Sequence, residues 1–297
     1  MKKLERKLAL SSVIAISIAG MLGSGIFVLP GIAAAKTGSS IWLAYLIAAI
    51  CILPAALSKS ELATAMPSSG GSYVYIERAL GPLFGTISGI GLWLSLLLKS
   101  SFALVGFGAY FLVLTNISPN YLRYLSIGFL ILIMLLNIFG VKKVGKVQLV
   151  IVVLSLLTLL SLLFLGIPSV ERELLDPFMI NGNMGLISTV AFVYISYAGV
   201  TKIAAIAGEV KNPSKNIPLA MLLSLLIISI LYVSIAYTLV GNIQIEALAT
   251  DIKPIYTLAS LLGSEWFAYG VAVIGVITLI SMANSGVLAS SRFPFAM

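Results

Sequence analysis

The chain has 297 residues, of which 60% are hydrophobic and 9% charged, with a mean hydropathy of +1.12. A soluble domain carries about 25% charged residues, so this chain has too little charge to cover a globular surface and reads as an integral membrane protein. It contains no histidine and one cysteine, Cys51, which excludes imidazole catalysis, imidazole metal ligation and an internal disulfide.

Apolar runs long enough to cross the ~30 Å hydrocarbon core recur throughout. Taken against their breakers, they give eight candidate spans: 10–35, 41–64, 83–115, 122–140, 147–168, 185–207, 217–240 and 267–291. The runs are continuously apolar without period-2 alternation, so helices are expected rather than a barrel. The third run is long for one crossing and predicts a strongly tilted helix. At the start, MKKLERK and Ala33-Ala34-Ala35 imitate a signal peptide. The apolar stretch between them is longer than an h-region of about 7–15 residues, so it is read as a retained first span. Residues 66–82, MPSSGGSYVYIERALGP, predict a short helix on the membrane interface. Residues 242–266 are polar and acidic around Pro254, and read equally as a cap over a vestibule or as a plain connection.

Charge sets the orientation. With the N-terminus inside, Lys2, Lys3, Arg6, Lys7, Lys59, Arg78, Lys142, Lys143, Lys146, Lys211, Lys215 and Arg292 lie inside. Lys36, Arg123, Arg172 and Lys253 lie outside, and Lys99 and Lys202 fall within spans. The excess of inside over outside cations predicts a cytoplasmic N-terminus in a multi-pass protein of the cytoplasmic membrane. The net charge of +8 is thereby explained without a nucleic-acid partner, and the lipid bilayer is the expected surrounding.

The first span carries Gly23-Ser24-Gly25-Ile26-Phe27 followed by Pro30-Gly31. Such residues are poor helix formers at mid-bilayer depth, and backbone unwound there must be buried in protein or line a water-filled cavity. A break frees amides on one side and carbonyls on the other, which suits the two ends of a zwitterion. The plainer alternative is that Gly23 and Gly25 are close-packing residues. The sixth span, running the opposite way, has Ser196-Tyr197-Ala198-Gly199-Val200 at comparable depth. Two interruptions in oppositely oriented halves point to a transporter site built on inverted repeats.

MLGSGIFVLPG (21–31), the MPSSGGSYVYIERALGP loop and AGEVKNPSKNIPLAM (207–221) together resemble the amino acid–polyamine–organocation (APC) permeases, over essentially the whole chain. The resemblance implies an all-α, LeuT-like inverted-repeat bundle with helices 1 and 6 broken at mid-membrane. It implies one permease unit over 1–297, with a first five-helix repeat at 10–168 and an incomplete second repeat at 185–297. Such permeases have about twelve spans, so a fragment or a shortened chain that pairs with something is expected. By the same resemblance Gly23, Ser24, Gly25 and Ile26 would hold the carboxylate and amine ends of an amino acid. Tyr197, Ala198 and Gly199 would supply the matching backbone, with Tyr197 either an aromatic gate or a packed tyrosine.

Lys99 lies at the centre of the third span and Lys202 three residues beyond Gly199. A lysine at mid-bilayer costs ~2.5–3.5 kcal/mol and is a functional candidate by default. Without an acid nearby, either lysine is a candidate proton carrier. The other use is electrostatic, with a charged lysine at the carbonyl end of a broken half-helix, where sodium sits in sodium-driven relatives. Snorkelling to the interface is the plain alternative, weak for Lys99 and even for Lys202. Some proton-driven members of the resembled family carry a coupling lysine in span five, and aligning on Gly145-Lys146 puts Ser155 at that position. Ser155 with Asn284 and Ser285 would instead offer oxygens to sodium. Proton coupling, sodium coupling and exchange all stay open.

The sequence therefore predicts a secondary active transporter for amino acids or related amines, working by alternating access as symport or exchange. The alternative is a channel-like or non-transporting scaffold of the same fold. No enzyme is expected, since no acid pair lies within the spans, and no cofactor or resident metal. The lack of acids near the site favours a neutral or anionic substrate.

Overall fold

The computed structural model describes residues 6, 8–66, 71–115, 117–139 and 144–296. Among them the regular elements are helices, apart from an isolated parallel bridge between Leu8 and Val210. Lys2, Lys3, Lys7, Lys142 and Lys143 of the charge count, and residues 67–70 of the interfacial loop, lie outside the described residues.

The first crossing is divided. Helix α1 (Leu10–Met21) ends at Leu22, one turn of helix forms α2 (Ser24–Phe27), and α3 (Leu29–Thr37) follows after Val28. Gly23 adopts φ 148°, a conformation open to glycine and strained for any other residue, so the hinge belongs to Leu22–Gly23. The sequence reading placed unwound backbone across 23–27. Instead Ser24–Phe27 coils, because the Ile26 and Phe27 amides donate to Gly23 O at 3.1 and 3.0 Å and the Val28 amide donates to Ser24 O at 3.1 Å. Pro30 falls in the first turn of α3, where its missing N–H costs nothing.

Helix α4 (Ile41–Ala65) contains Pro54, and α5 (Ser72–Leu80) is the short helix expected between the second and third spans. Helix α6 (Pro82–Thr115) has 34 residues, a rise of about 51 Å that exceeds the hydrocarbon core. Helices α7 (Leu122–Phe139) and α8 (Val144–Gly166) follow. The sixth crossing starts as α9 (Gly182–Val193) and continues as 3₁₀ helix over Tyr194–Glu209. Where a break was expected at 196–200, the chain tightens its hydrogen-bond pitch instead of opening. So long a 3₁₀ run is unusual and marks a hinge or a strained sequence.

Helix α10 (Pro213–Val240) is followed by α11 (Ile245–Leu248), α12 (Pro254–Leu262) and α13 (Glu265–Ala296). The segment between α10 and α13 holds α11 and α12. Helix α11 packs on α3, and a Cβ added at Gly31 would collide with the Asp251 carbonyl. Among the described residues six helices are long and apolar enough to cross a membrane, and Leu10–Met21 and Leu122–Leu135 are shorter apolar helices. Each of the eight expected runs thus coincides with helix over most of its described residues, and the chain is an all-α multi-pass membrane protein.

The divided crossing is the core. Helix α1 packs on α10, α8 and the 3₁₀ segment, while α2 packs on α6 and the 3₁₀ segment. Val13, Met21, Ile26 and Phe27 are fully buried there. The outer faces are apolar instead of charged, with Phe164 82% and Leu83 69% exposed, as lipid for a solvent requires.

Candidate substrate site

A helix that ends in mid-membrane leaves carbonyls with no intrahelical partner, and hydrocarbon cannot supply one. The last bond closing α1 runs from the Leu22 amide to Ile18 O at 2.8 Å. Beyond it, side chains from neighbouring helices act as donors. Lys99 Nζ, from α6, donates to Gly20 O at 3.3 Å and to Ile195 O at 3.2 Å. Tyr232 OH, from α10, donates to Met21 O at 2.8 Å. Tyr45 OH, from α4, donates to Gly25 O at 2.6 Å, and Ser196 Oγ reaches the same carbonyl at 3.4 Å. Tyr110 OH, from α6, donates to Phe27 O at 2.9 Å. On the amide side, Ser24 N–H and Oγ both point at the thioether of Met282, at 3.1 and 3.6 Å. Sulfur is a weak acceptor, so that amide is only lightly engaged.

Next to the break lies a cavity of about 350 Å³, lined by Ser24, Gly25, Leu29, Leu98, Lys99, Phe102, Ala191, Phe192, Ile195 and Ser196. Its size lies within the range of small-molecule sites, and its lining follows their pattern of apolar walls with few convergent polar groups. The polar groups are two serines, the backbone of the break and one ammonium. Among the described residues no carboxylate lines it.

The structure brings Ser24, Gly25 and Lys99 to this cavity and sets the other expected site residues elsewhere. Gly23 is the hinge behind it, and Ile26 is buried in the core. Tyr197 is fully buried. Its OH donates to Tyr45 O at 3.1 Å, and its ring stacks within a trio with Tyr45 and Tyr232 at centroid distances of 5.4–6.4 Å. Ala198 O accepts from Thr201 Oγ1 at 2.9 Å. Gly199 lies with its Cα against Gly20, where any added Cβ would collide with the Gly20 carbonyl. Lys202 lies along the same crossing, and its Cδ would stand 3.0 Å from a Cβ at Gly20. Both half-buried lysines therefore approach Gly20, but of the two only Lys99 lines the cavity.

The expected oxygen set for sodium is not one constellation. Ser155 Oγ pairs with Thr278 Oγ1 at 2.6 Å and donates to Ile151 O at 2.7 Å. Asn284 Oδ1 accepts from Asn137 Nδ2 at 2.7 Å, and Ser285 Oγ accepts from Gln148 Nε2 at 3.1 Å. Ser285 lies seven residues beyond Thr278, about 10 Å along α13. These groups form a polar seam joining α13 to α7 and α8. A void of about 10 Å³ sits by Ser155, Thr278, Ser281, Ala19 and Leu22.

Sequence reasoning missed Tyr45, Tyr110, Tyr232, Met282 and Phe102. The tyrosines carried a usable signal. A phenol inside an apolar span, away from the interface where tyrosine is enriched, must find an acceptor, and the freed carbonyls of a broken helix are the obvious ones.

Broken crossing, satisfied carbonyls and adjoining cavity define a multi-pass membrane protein with a solute-sized hollow against the break. Residues 8–297 match the family described as amino acid permease, and the chain belongs to that family. It is 27% identical to the branched-chain amino acid permease of Bacillus subtilis, over all of this chain and 68% of that protein. It is 27% identical to cationic amino acid transporter 5 of Arabidopsis thaliana, over 92% of this chain and 50% of that protein. It is 26% identical to the methylthioribose transporter of Bacillus subtilis, over all of this chain and 68% of that protein. The chain thus spans half to about two thirds of the length of these curated relatives, whose names are those of permeases and transporters and not of enzymes.

Proposed function

We propose that the chain forms the substrate-holding part of a secondary active transporter for amino acids, working by alternating access in the cytoplasmic membrane with its N-terminus inside. The observation that carries this reading is the solute-sized cavity placed against the break in the first crossing, an otherwise apolar hollow with Ser24, Gly25, Ile195, Ser196 and Lys99 among its lining residues. Family membership supports it, and two of the three relatives named above are called amino acid carriers. The third is named for methylthioribose, so the resemblance alone does not fix the cargo.

In this reading the α1–α2 break and the 3₁₀ segment belong to a LeuT-like pair of inverted repeats. Gly23 and Ile26 shape the turn on which Ser24 and Gly25 meet the substrate, and Gly199 sets the crossing against α1. Tyr197 and Ala198 back the wall behind Ser196. Ser155 and the seam containing Asn284 and Ser285 hold the bundle on the side where a sodium ion would enter, while Lys99 and Lys202 supply fixed or transferable positive charge.

Reconstitution into proteoliposomes tests the reading. Saturable counterflow of a labelled amino acid is the expected result, with proton or sodium dependence separated by varying each gradient alone. Ion current without saturation would point to a channel, and neither flux nor current to a scaffold.

A further inference from the structure

The carbonyls of Gly20 and Ile195 come from two different crossings yet converge on one point, and a side-chain amine fills that point. It is the protein's own, since Lys99 Nζ donates to both, at 3.3 and 3.2 Å. Lys99 also lines the cavity, and no acid does. Among the elements around the cavity, α2, α3, α6 and α9 contain no Asp or Glu. The 3₁₀ segment carries Glu209 only at its far end, 14 residues beyond Ile195 and so about 28 Å away along the axis. An ammonium has three N–H donors, of which two are used here, leaving one for a ligand. A ligand amine entering this cradle meets a resident positive charge and no carboxylate to balance it, whereas a ligand carboxylate meets the charge it needs.

We propose that Lys99 occupies the cation place of the site and acts as its specificity-determining residue. Recognition then rests on the ligand's carboxylate and does not require its amine. The ligand class is small carboxylates, comprising amino acids together with their 2-oxo and 2-hydroxy counterparts, and it excludes amines that lack a carboxylate. The inference rests on the transporter reading above and names the substrate class of that same cavity.

The test is competition against bound radiolabelled amino acid on the purified chain in lipid nanodiscs. The probes are matched sets built on the alanine, leucine and glutamate side chains, each with the amino acid, its 2-oxo acid and the decarboxylated amine. In the unaltered protein the 2-oxo acid should compete within about threefold of the amino acid, and the amine should be weaker by about thirtyfold or more. In Lys99→Met, an uncharged side chain of similar length, the 2-oxo acid should fall about tenfold or more behind the amino acid, and Lys99→Arg should preserve the original order. A 2-oxo acid rejected by about tenfold or more in the unaltered protein overturns the inference, even if Lys99→Met does not fold. An unchanged order in a folded Lys99→Met does the same. If binding of the amino acids is intact while the order is wrong, only this inference falls. If no amino acid binds at all, the transporter reading falls with it.

Discussion

At the residue scale, the first crossing is held open by donors borrowed from other helices. Tyr232 OH on Met21 O, Tyr45 OH on Gly25 O and Tyr110 OH on Phe27 O replace three bonds that a continuous helix would have made for itself. All three rings are fully buried. Removing one hydroxyl leaves a carbonyl unsatisfied where no water is guaranteed, which costs about 1–3 kcal/mol in a buried site and less where the chain finds another partner within the membrane. Tyr232→Phe keeps the ring packing against Tyr45 and Tyr197 and deletes only the bond. It should lower the thermal midpoint of the purified protein by an amount matching about 1–2 kcal/mol. Tyr194→Phe is the control, since Tyr194 is only partly buried and no hydrogen bond of its hydroxyl is seen. A Tyr232→Phe midpoint equal to that control would show that Met21 O does not depend on the phenol.

Glycine contacts divide the same way at this scale. Gly199 meets Gly20 backbone to backbone, so Gly199→Ala pushes a Cβ into atoms that cannot turn aside. Gly91, in α6, has nothing within 4 Å of an added Cβ. Gly91→Ala should leave the protein as stable or raise stability by up to about 1 kcal/mol through helix propensity. Gly199→Ala should cost about 1–3 kcal/mol as overpacking and reduce the yield of monodisperse protein. Equal stability of the two variants would mean that the α1 and 3₁₀ crossing is looser than its geometry indicates.

At the element scale, the number and nature of the crossings are legible in the sequence because lipid imposes one rule on each run separately: enough apolar residues in a row, closed as a helix. The hinge at Gly23 is legible for a similar local reason, since Gly-Ser-Gly in an apolar run weakens the helix there, although close packing is the other use it allows. Lys99 stood out because a charge in mid-span is costly wherever it lies. The rest was set by partners far away in sequence. Nothing near Tyr197 tells that its hydroxyl will be taken by the Tyr45 carbonyl, or that Ser155 will pair with Thr278 instead of joining Asn284 and Ser285. The 3₁₀ pitch of Tyr194–Glu209 was missed as well. Small residues such as Ser196, Ala198 and Gly199 permit a break and a narrow helix alike, and close packing of that segment against α1 and α4 accompanies the narrow one.

At the scale of the whole molecule, the proposed alternating access would require the halves around the cavity to move relative to one another, and one contact would stand across that movement. The segment before α1 is pinned to the end of the sixth crossing by a parallel bridge, with the Leu8 amide donating to Glu209 O at 3.0 Å and the Lys211 amide to Leu8 O at 2.9 Å. Two backbone bonds at the ends of the two crossings that hold the cavity are a weak clasp, each worth about 1 kcal/mol, suited to opening during a cycle. Backbones paired in this way lie about 4.8 Å apart, within the separation a disulfide spans. Leu8→Cys with Val210→Cys, made in a Cys51→Ala background to remove the single native thiol, should therefore cross-link on mild oxidation. The expected outcome is loss of amino acid counterflow in the oxidised protein, recovery on reduction, and unchanged amino acid binding in both states, because the bridge is remote from the cavity lining. Full counterflow in the oxidised, cross-linked protein would show that these two ends stay together throughout the cycle, and the moving boundary would then have to lie elsewhere in the bundle.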